Sequence, residues 1–273
     1  MISHVIQEAN RVKYVDYQGI SGIKAGFSTR IGGVSNPPYD TLNMGLHTDD
    51  QSKLVIKNRE IFGKTIGMPY QKWVTVQQVH GMEVIDHHLA GKGATNLDDV
   101  IPCADGILTN EEAIPLVTFY ADCVPIYLFD EIERVISLVH SGWKGTVGRI
   151  SANAVKKLIQ KGCKLNNIKA IIGPSIGQCC YEVDRPVIDK FKEAFSSWEN
   201  LLRPVDEEHA SLDLWSANFT VLRESGIKDP NIYSTNLCTC CHEELFYSYR
   251  RDKGKTGRMA ACLMIEQGDP ILE

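Results

Sequence analysis

Apolar residues along this chain gather into short runs separated by polar turns. KAGFST (24–29), KWVTVQQV (72–79), AIPLVTF (113–119), VPIYLF (124–129), RVISLV (134–139) and IKAIIG (168–173) all have strand length. Several are apolar at successive positions, not only at alternate ones. That pattern predicts strands of a buried sheet, covered on both faces.

Four other stretches carry a helical period. In 50–67, Val55, Phe62 and Ile66 fall near one stripe among charged residues. In 146–162, Val147, Ile150, Val155, Leu158 and Ile159 do the same, with Thr146 as an N-cap and Gly162 as a stop. The stretch 184–195 opens on Asp184 with Pro186 in its first turn, and 212–226 has a similar pattern. NPPYD (36–40) and GKGATNLDD (91–99) read as surface loops. With no repeat, low-complexity tract or long linker, a single domain over 1–273 is expected. Strands and helices are mixed without strict βαβ alternation. This favours an α/β or α+β sandwich over a Rossmann fold or a barrel.

Composition narrows the function classes. A chain of 273 residues buries about three-quarters of its unfolded surface, so it needs neither a disulfide nor a metal to fold. A net charge of −5 argues against a general nucleic-acid binder. The first residues are too polar for a signal peptide, and no apolar run reaches the roughly 20 residues of a membrane helix. The nine cysteines cannot all pair within the chain, which fits reduced thiols in the cytoplasm.

Chemistry gathers at the strand endings. VTVQQVHG ends at His80, LVTFYADC leads into Cys123, and VISLVHSGW ends its apolar run at His140. Imidazole and thiolate are the main zinc ligands, and three protein ligands with one open position make a catalytic zinc site. The same atoms serve a metal-free reading, with Cys123 as nucleophile, His140 as base, and Asp122 or Gln78 orienting the imidazole. A third reading makes Cys123 a small core residue and each histidine an ordinary edge histidine. Residue types alone do not separate the three.

Longer motifs add to this. VQQVHG, YADCVPI, VHSGWKGT, IGPSIGQCCYEVD and SYRRDKGKTGRMAA occur in order, preceded by FSTRIGGVS (27–35) and LNMGLHTDD (42–50). Together they resemble the YfiH/YlmD family, which has been called both multicopper polyphenol oxidase-like and purine nucleoside phosphorylase. The resemblance covers nearly the whole chain. It implies a layered α/β/β/α sandwich with mixed sheets, also seen in a bacterial toxin deamidase that uses Cys and His. It implies that His80, Cys123 and His140 are both the metal ligands and the catalytic residues. The implied cofactor is zinc, with copper as the alternative occupant. The implied substrates are a purine nucleoside and phosphate. Adenosine, inosine and S-methyl-5′-thioadenosine would be cleaved to free base and (methylthio)ribose 1-phosphate, and adenosine would also be deaminated to inosine. The usual zinc nucleobase-deaminase signature, H-x-E with P-C-x-x-C, is absent, because Gly81-Met82-Glu83 follows His80.

Within these motifs Arg30, Asn43, Arg59, Gln78 and Lys144 are candidate substrate contacts, as are Arg250 and Arg258 near the end. Arg30 adjoins two glycines whose N–H groups could face an anion, although G-x-x-x-x-G-K-[ST] is missing. Trp143 and Tyr181 are candidate stacking partners for a purine. CTCCHEE (238–244) suggests a second zinc through Cys238, Cys241 and His242, with Cys179 and Cys180. It lacks a second pair at finger spacing, so buried thiols, or a disulfide formed on oxidation, are the expectation there. Three other functions compete. A copper oxidase fits a His₂Cys site, but H-x-H pairs are missing. A non-enzymatic metal module would need a closed four-ligand site. A metal-free Cys/His hydrolase needs only the Cys123–His140 pair. No heptad or interface stripe indicates an oligomeric state.

Overall fold

A computed structural model describes residues 1–268; residues 269–273 of the expected 1–273 unit lie outside the described residues. The strands are β1 (Ser3–Ala9), β2 (Val12–Gln18), β3 (Ile23–Ser28), β4 (Val84–Asp86), β5 (Gly106–Thr109), β6 (Leu116–Tyr120), β7 (Val124–Asp130), β8 (Val135–Ser141), β9 (Lys169–Ile172), β10 (Glu182–Asp184), β11 (Leu202–Pro204), β12 (His209–Leu212), β13 (Ile232–Ser234) and β14 (Met259–Ile265). The helices are α1 (Ser52–Thr65), α2 (Trp143–Val147), α3 (Ile150–Gln160), α4 (Arg185–Ala194) and α5 (Leu214–Glu224). One sheet runs β1-β2-β3-β14-β6, a second runs β13-β9-β7-β8-β5-β4, and β10-β12-β11 form a small third. Pairing in the second sheet is mixed: β13–β9 and β4–β5 are parallel, while β7–β8 and β5–β8 are antiparallel.

The continuous apolar runs have a simple cause. In β14, Met259, Ala261, Leu263 and Ile265 face the space between the two large sheets. Ala260, Cys262 and Met264 face the other way, towards α1 through Phe62. In β7, Tyr127 and Phe129 enter the inter-sheet core, whereas Val124, Ile126 and Leu128 pack under α3 and α5. Both faces of each strand are covered, so alternation carries no polar signal. The layers are α1, first sheet, second sheet and the remaining helices, which is the α/β/β/α sandwich that the resemblance implied. Among the described residues, no helix is long and apolar enough to cross a membrane.

Most predicted elements are present, with informative departures. The run 72–79 is not a strand. Trp73, Val74 and Val76 are buried, but Val74 and Val76 make only isolated bridges, and the chain turns at Gln78 and His80, both at φ 60°. The expected 146–162 helix is split by Arg149 at φ 59°, which separates α2 from α3. Thr146 is therefore no N-cap; its hydroxyl bonds Gly142 O at 2.9 Å inside α2. Gly162, at φ 98°, does end α3. The β1–β2 hairpin turns on Asn10 and Arg11, both left-handed, as a two-residue loop of this kind demands.

Phe62 is fully buried against Trp73 and Tyr14 at ring distances of 6.4 and 6.3 Å, and it fastens α1 to the first sheet. Phe62→Ala is expected to cost about 3–5 kcal/mol in denaturant unfolding. Ile132→Ala, at a position 72% exposed, serves as the control and should change little. Equal small effects at the two positions would contradict this packing.

Candidate active site

β8 delivers His140 near its end, the β6–β7 turn delivers Cys123, and the bend before β4 delivers His80. Their ligand atoms all lie within 4.8 Å of one another. Cys123 Sγ is 3.8 Å from His80 Nε2, and the two imidazole rings stand edge-on, 4.8 Å between centroids.

One carboxylate organises this trio. Asp105 is completely buried directly before β5. Its Oδ1 accepts the His80 N–H at 2.8 Å, and its Oδ2 accepts those of Val79 at 3.1 Å and Gly81 at 2.7 Å. Oδ1 also lies 2.9 Å from His140 Nδ1, and Asp105 O accepts the His140 N–H at 2.7 Å. A left-handed backbone at His80 costs about 1–3 kcal/mol and persists only when its surroundings impose it. The Asp105 bonds impose it here. With Nδ1 held, His140 Nε2 is the ring atom left to act.

The charges reinforce the geometry. Burial pushes the Cys123 thiol up, but the charge and hydrogen bond of His140, then those of His80, outweigh it and bring the thiol down to about 6. Burial likewise pushes His140 down, but Cys123 and Asp105 carry it up to about 9. Burial raises Asp105 too, yet His140 and the N–H groups of Gly81 and His80 hold it below the usual carboxylate range. Without metal, Cys123 and His140 thus form a thiolate–imidazolium pair at neutral pH.

The donor set fits a metal ion. Zinc bonds of about 2.0–2.3 Å place tetrahedral N and S ligands roughly 3.5 Å apart. The 3.8 Å between Cys123 and His80 needs only a slight contraction. Gly142 completes the cradle: a Cβ there would stand 3.0 Å from Cys123 Sγ and 3.1 Å from His80 Cδ2.

The three residues border a cavity of about 500 Å³. Its wall includes Tyr181 and Tyr249, with the Arg250 guanidinium 5.0 Å from the Tyr181 ring centre and that of Arg258 5.8 Å from Tyr249. Arg250 Nη1 donates to Glu182 O, and Arg258 Nη1 donates to Thr256 O and Gly257 O. These bonds go to neutral carbonyls, and among the described residues neither guanidinium forms an ion pair with a carboxylate.

The other predicted residues divide. Gln78 borders the cavity, but its amide is paired with Phe119 N and O, both at 2.8 Å. Asn43 is fully buried and accepts the Arg258 N–H at 2.8 Å, so it supports the wall from behind. Arg59, 1% exposed, donates to Met44 O, Gly93 O and Ala94 O, and borders a side cavity of about 210 Å³. Arg30 pairs with Asp40 at 3.2 Å and stacks on Tyr247, away from the cavity. Lys144 is exposed over Trp143, which packs among the helices. Neither Asp122 nor Gln78 orients a histidine. The Asp122 carboxylate accepts Thr239 Oγ1, Ser248 Oγ and the Arg250 N–H instead. Sequence reasoning missed Asp105, His47 and Tyr249; His47 was within reach, since it lies in LNMGLHTDD.

Comparison with known proteins agrees with the fold and motifs. A family model described as multi-copper polyphenol oxidoreductase laccase matches residues 24–266. Purine nucleoside phosphorylase YlmD of Bacillus subtilis is 38% identical over 246 residues, covering 89% of this chain and 88% of that protein. Its namesake from Geobacillus stearothermophilus is 37% identical over 247 residues, covering 89% and 90%. Among solved structures, YlmD from Geobacillus stearothermophilus superposes with a TM-score of 0.92 at 34% identity, covering 97% of this chain and 100% of that one. Hypothetical protein YfiH of Bacillus licheniformis gives 0.91 at 34% identity, covering 94% and 97%. The chain therefore belongs to the YfiH/YlmD family.

Proposed function

We propose that this protein is a zinc-dependent purine nucleoside phosphorylase that also deaminates adenosine. The carrying observation is an open three-ligand set, His80, Cys123 and His140, on a cavity walled by two guanidinium groups and two tyrosine rings. Its volume of about 500 Å³ falls within the roughly 300–1,000 Å³ of small-ligand pockets. The purine nucleoside phosphorylase names of the relatives support the same reading.

The residues divide the work by chemical type. Zinc held by His80, Cys123 and His140 supplies a Lewis acid at the cavity wall. Arg250 and Arg258 offer planar donors that match a phosphate, which attacks C1′ as the glycosidic bond breaks. The departing base keeps that bond's electrons and takes up the proton that the hydrogen phosphate gives up. Tyr181 and Tyr249 present aromatic faces suited to a purine ring. Asp105 acts through the two histidines, fixing the His140 tautomer and the His80 backbone. Adenosine, inosine and S-methyl-5′-thioadenosine are the nucleosides proposed. Deamination would add water at C6 of adenine and release ammonia from the same cavity.

A second reading rests on one observation, the thiolate–imidazolium character of Cys123 and His140, which suits a metal-free hydrolase. Metal content and turnover of one variant separate the two. Cys123→Ala should lose the cavity zinc together with phosphate-dependent release of adenine or hypoxanthine. Turnover by protein stripped of metal would refute the zinc mechanism.

Asp105→Asn keeps the shape but weakens the hold on both histidines. Zinc affinity at the cavity site should fall about 10- to 100-fold, measured by competition with a chelator. Unchanged affinity would remove Asp105 from its positioning role.

The pH dependence has a definite sign. Cys123 is lowered from 9.0 to about 6, so its thiolate is present above that value and lost as pH falls through it. Apparent zinc affinity, measured by competition with a chelator, should therefore weaken about tenfold per pH unit below about 6, because the ion must then displace the thiol proton. An affinity that stays constant from pH 7 to pH 5 would show that Cys123 does not bind the ion.

A further inference from the structure

Outside the cavity, the described residues hold a second group of metal-ligating side chains. Cys179, Cys180, Cys238 and Cys241 bring four sulfur atoms within 4.8 Å of one another. Cys241 Sγ is 3.4 Å from both Cys179 Sγ and Cys180 Sγ. Cys238 Sγ accepts the Gly177 N–H at 3.2 Å. Tetrahedral zinc with bonds of about 2.3 Å to four sulfurs needs them roughly 3.8 Å apart. We infer that these four cysteines form a tetrathiolate zinc site, distinct from the His80–Cys123–His140 set.

The surroundings select these residues from the cysteine-rich segment. Cys240 packs against the helix-side core, and His242 Nδ1 lies 3.3 Å from Glu244 Oε1. The four-residue set is closed, with no position left for substrate, which is the mark of a structural site. Cys179 and Cys241 are exposed, so an ion has a route in. The sequence offered these cysteines but favoured plain thiols or a disulfide, because an adjacent pair and a C-x-x-C, about 60 residues apart, do not have finger spacing.

The backbone already brings the two loops together. Ser175 bridges Cys238, and the Thr239 N–H bonds Ser175 O at 3.0 Å. A shared ion would clamp the turn leading to Tyr181 against the turn carrying Thr239. The Thr239 hydroxyl holds Asp122, the residue before Cys123, at 2.7 Å. The site would therefore brace one wall of the main cavity without touching substrate. It stands independently of the reaction proposed for that cavity.

The test counts metal and reads its ligands in the full chain, purified reduced and without chelator. Wild-type protein should carry about two zinc ions per chain, and Cys123→Ala about one. Cys179→Ser and Cys241→Ser should each lose the other ion. Cobalt loaded into Cys123→Ala should give a tetrahedral spectrum whose charge-transfer intensity matches four thiolates; this reading holds even if the serine variants fail to fold. A folded, fully reduced Cys123→Ala chain without zinc would overturn the site. So would undiminished zinc in folded serine variants, or a cobalt spectrum with only one or two sulfur ligands.

Discussion

The arrangement around the cavity depends on one buried carboxylate. Asp105 has no exposure to water, where an unpaired charge would be prohibitive. It is tolerated because three backbone N–H groups and one imidazole surround it. Those four bonds do more than neutralise it. Three fold the 79–81 segment into a bend that holds His80 in a left-handed conformation, and the fourth turns the His140 ring. Removing the charge would loosen both histidines together, because among the described residues only Cys123 would still engage their rings.

The sandwich supplies what this carboxylate needs. Asp105 directly precedes β5, and β5 lies beside β8 in register, so Gly106 faces Val139 across the pair. The rigid second sheet therefore sets the distance between Asp105 and His140. β7, on the other side of β8, begins directly after Cys123, with Pro125 opposite His140. Two adjacent strand pairings thus place the sulfur and one imidazole, leaving only His80 to a loop. That loop is the segment whose apolar run looked like a strand.

The fold was legible where local pattern and tertiary role coincide. Asp184 with Pro186 and Gly162 with α3 are local signals read directly from side-chain and backbone preference. The trio His80, Cys123 and His140 was legible as residue types at strand ends, the family resemblance joined them, and the fold brings their side chains together. Asp105 was not legible. In PCADGI it is one acidic residue in a turn, and nothing nearby in sequence marks it as completely buried. Its partners are 24 to 35 residues away, so its role exists only after the sheet forms. Arg59 misled in the opposite direction. An arginine in a motif suggests a phosphate ligand, but this one is spent on three backbone carbonyls beneath the aromatic face of Phe119.

The laccase description of the family and the phosphorylase names of its members need not conflict on physical grounds. Two imidazoles and one thiolate form a soft donor set, and copper binds such sites more tightly than zinc whenever it is available. Copper in a purified sample would therefore report metal supply rather than the reaction. The cavity wall discriminates better. A polyphenol is neutral and has no use for two guanidinium groups, whereas burial already disfavours the charge on Arg258. An anionic ligand would offset that cost, so the wall chemistry favours phosphate over a phenol.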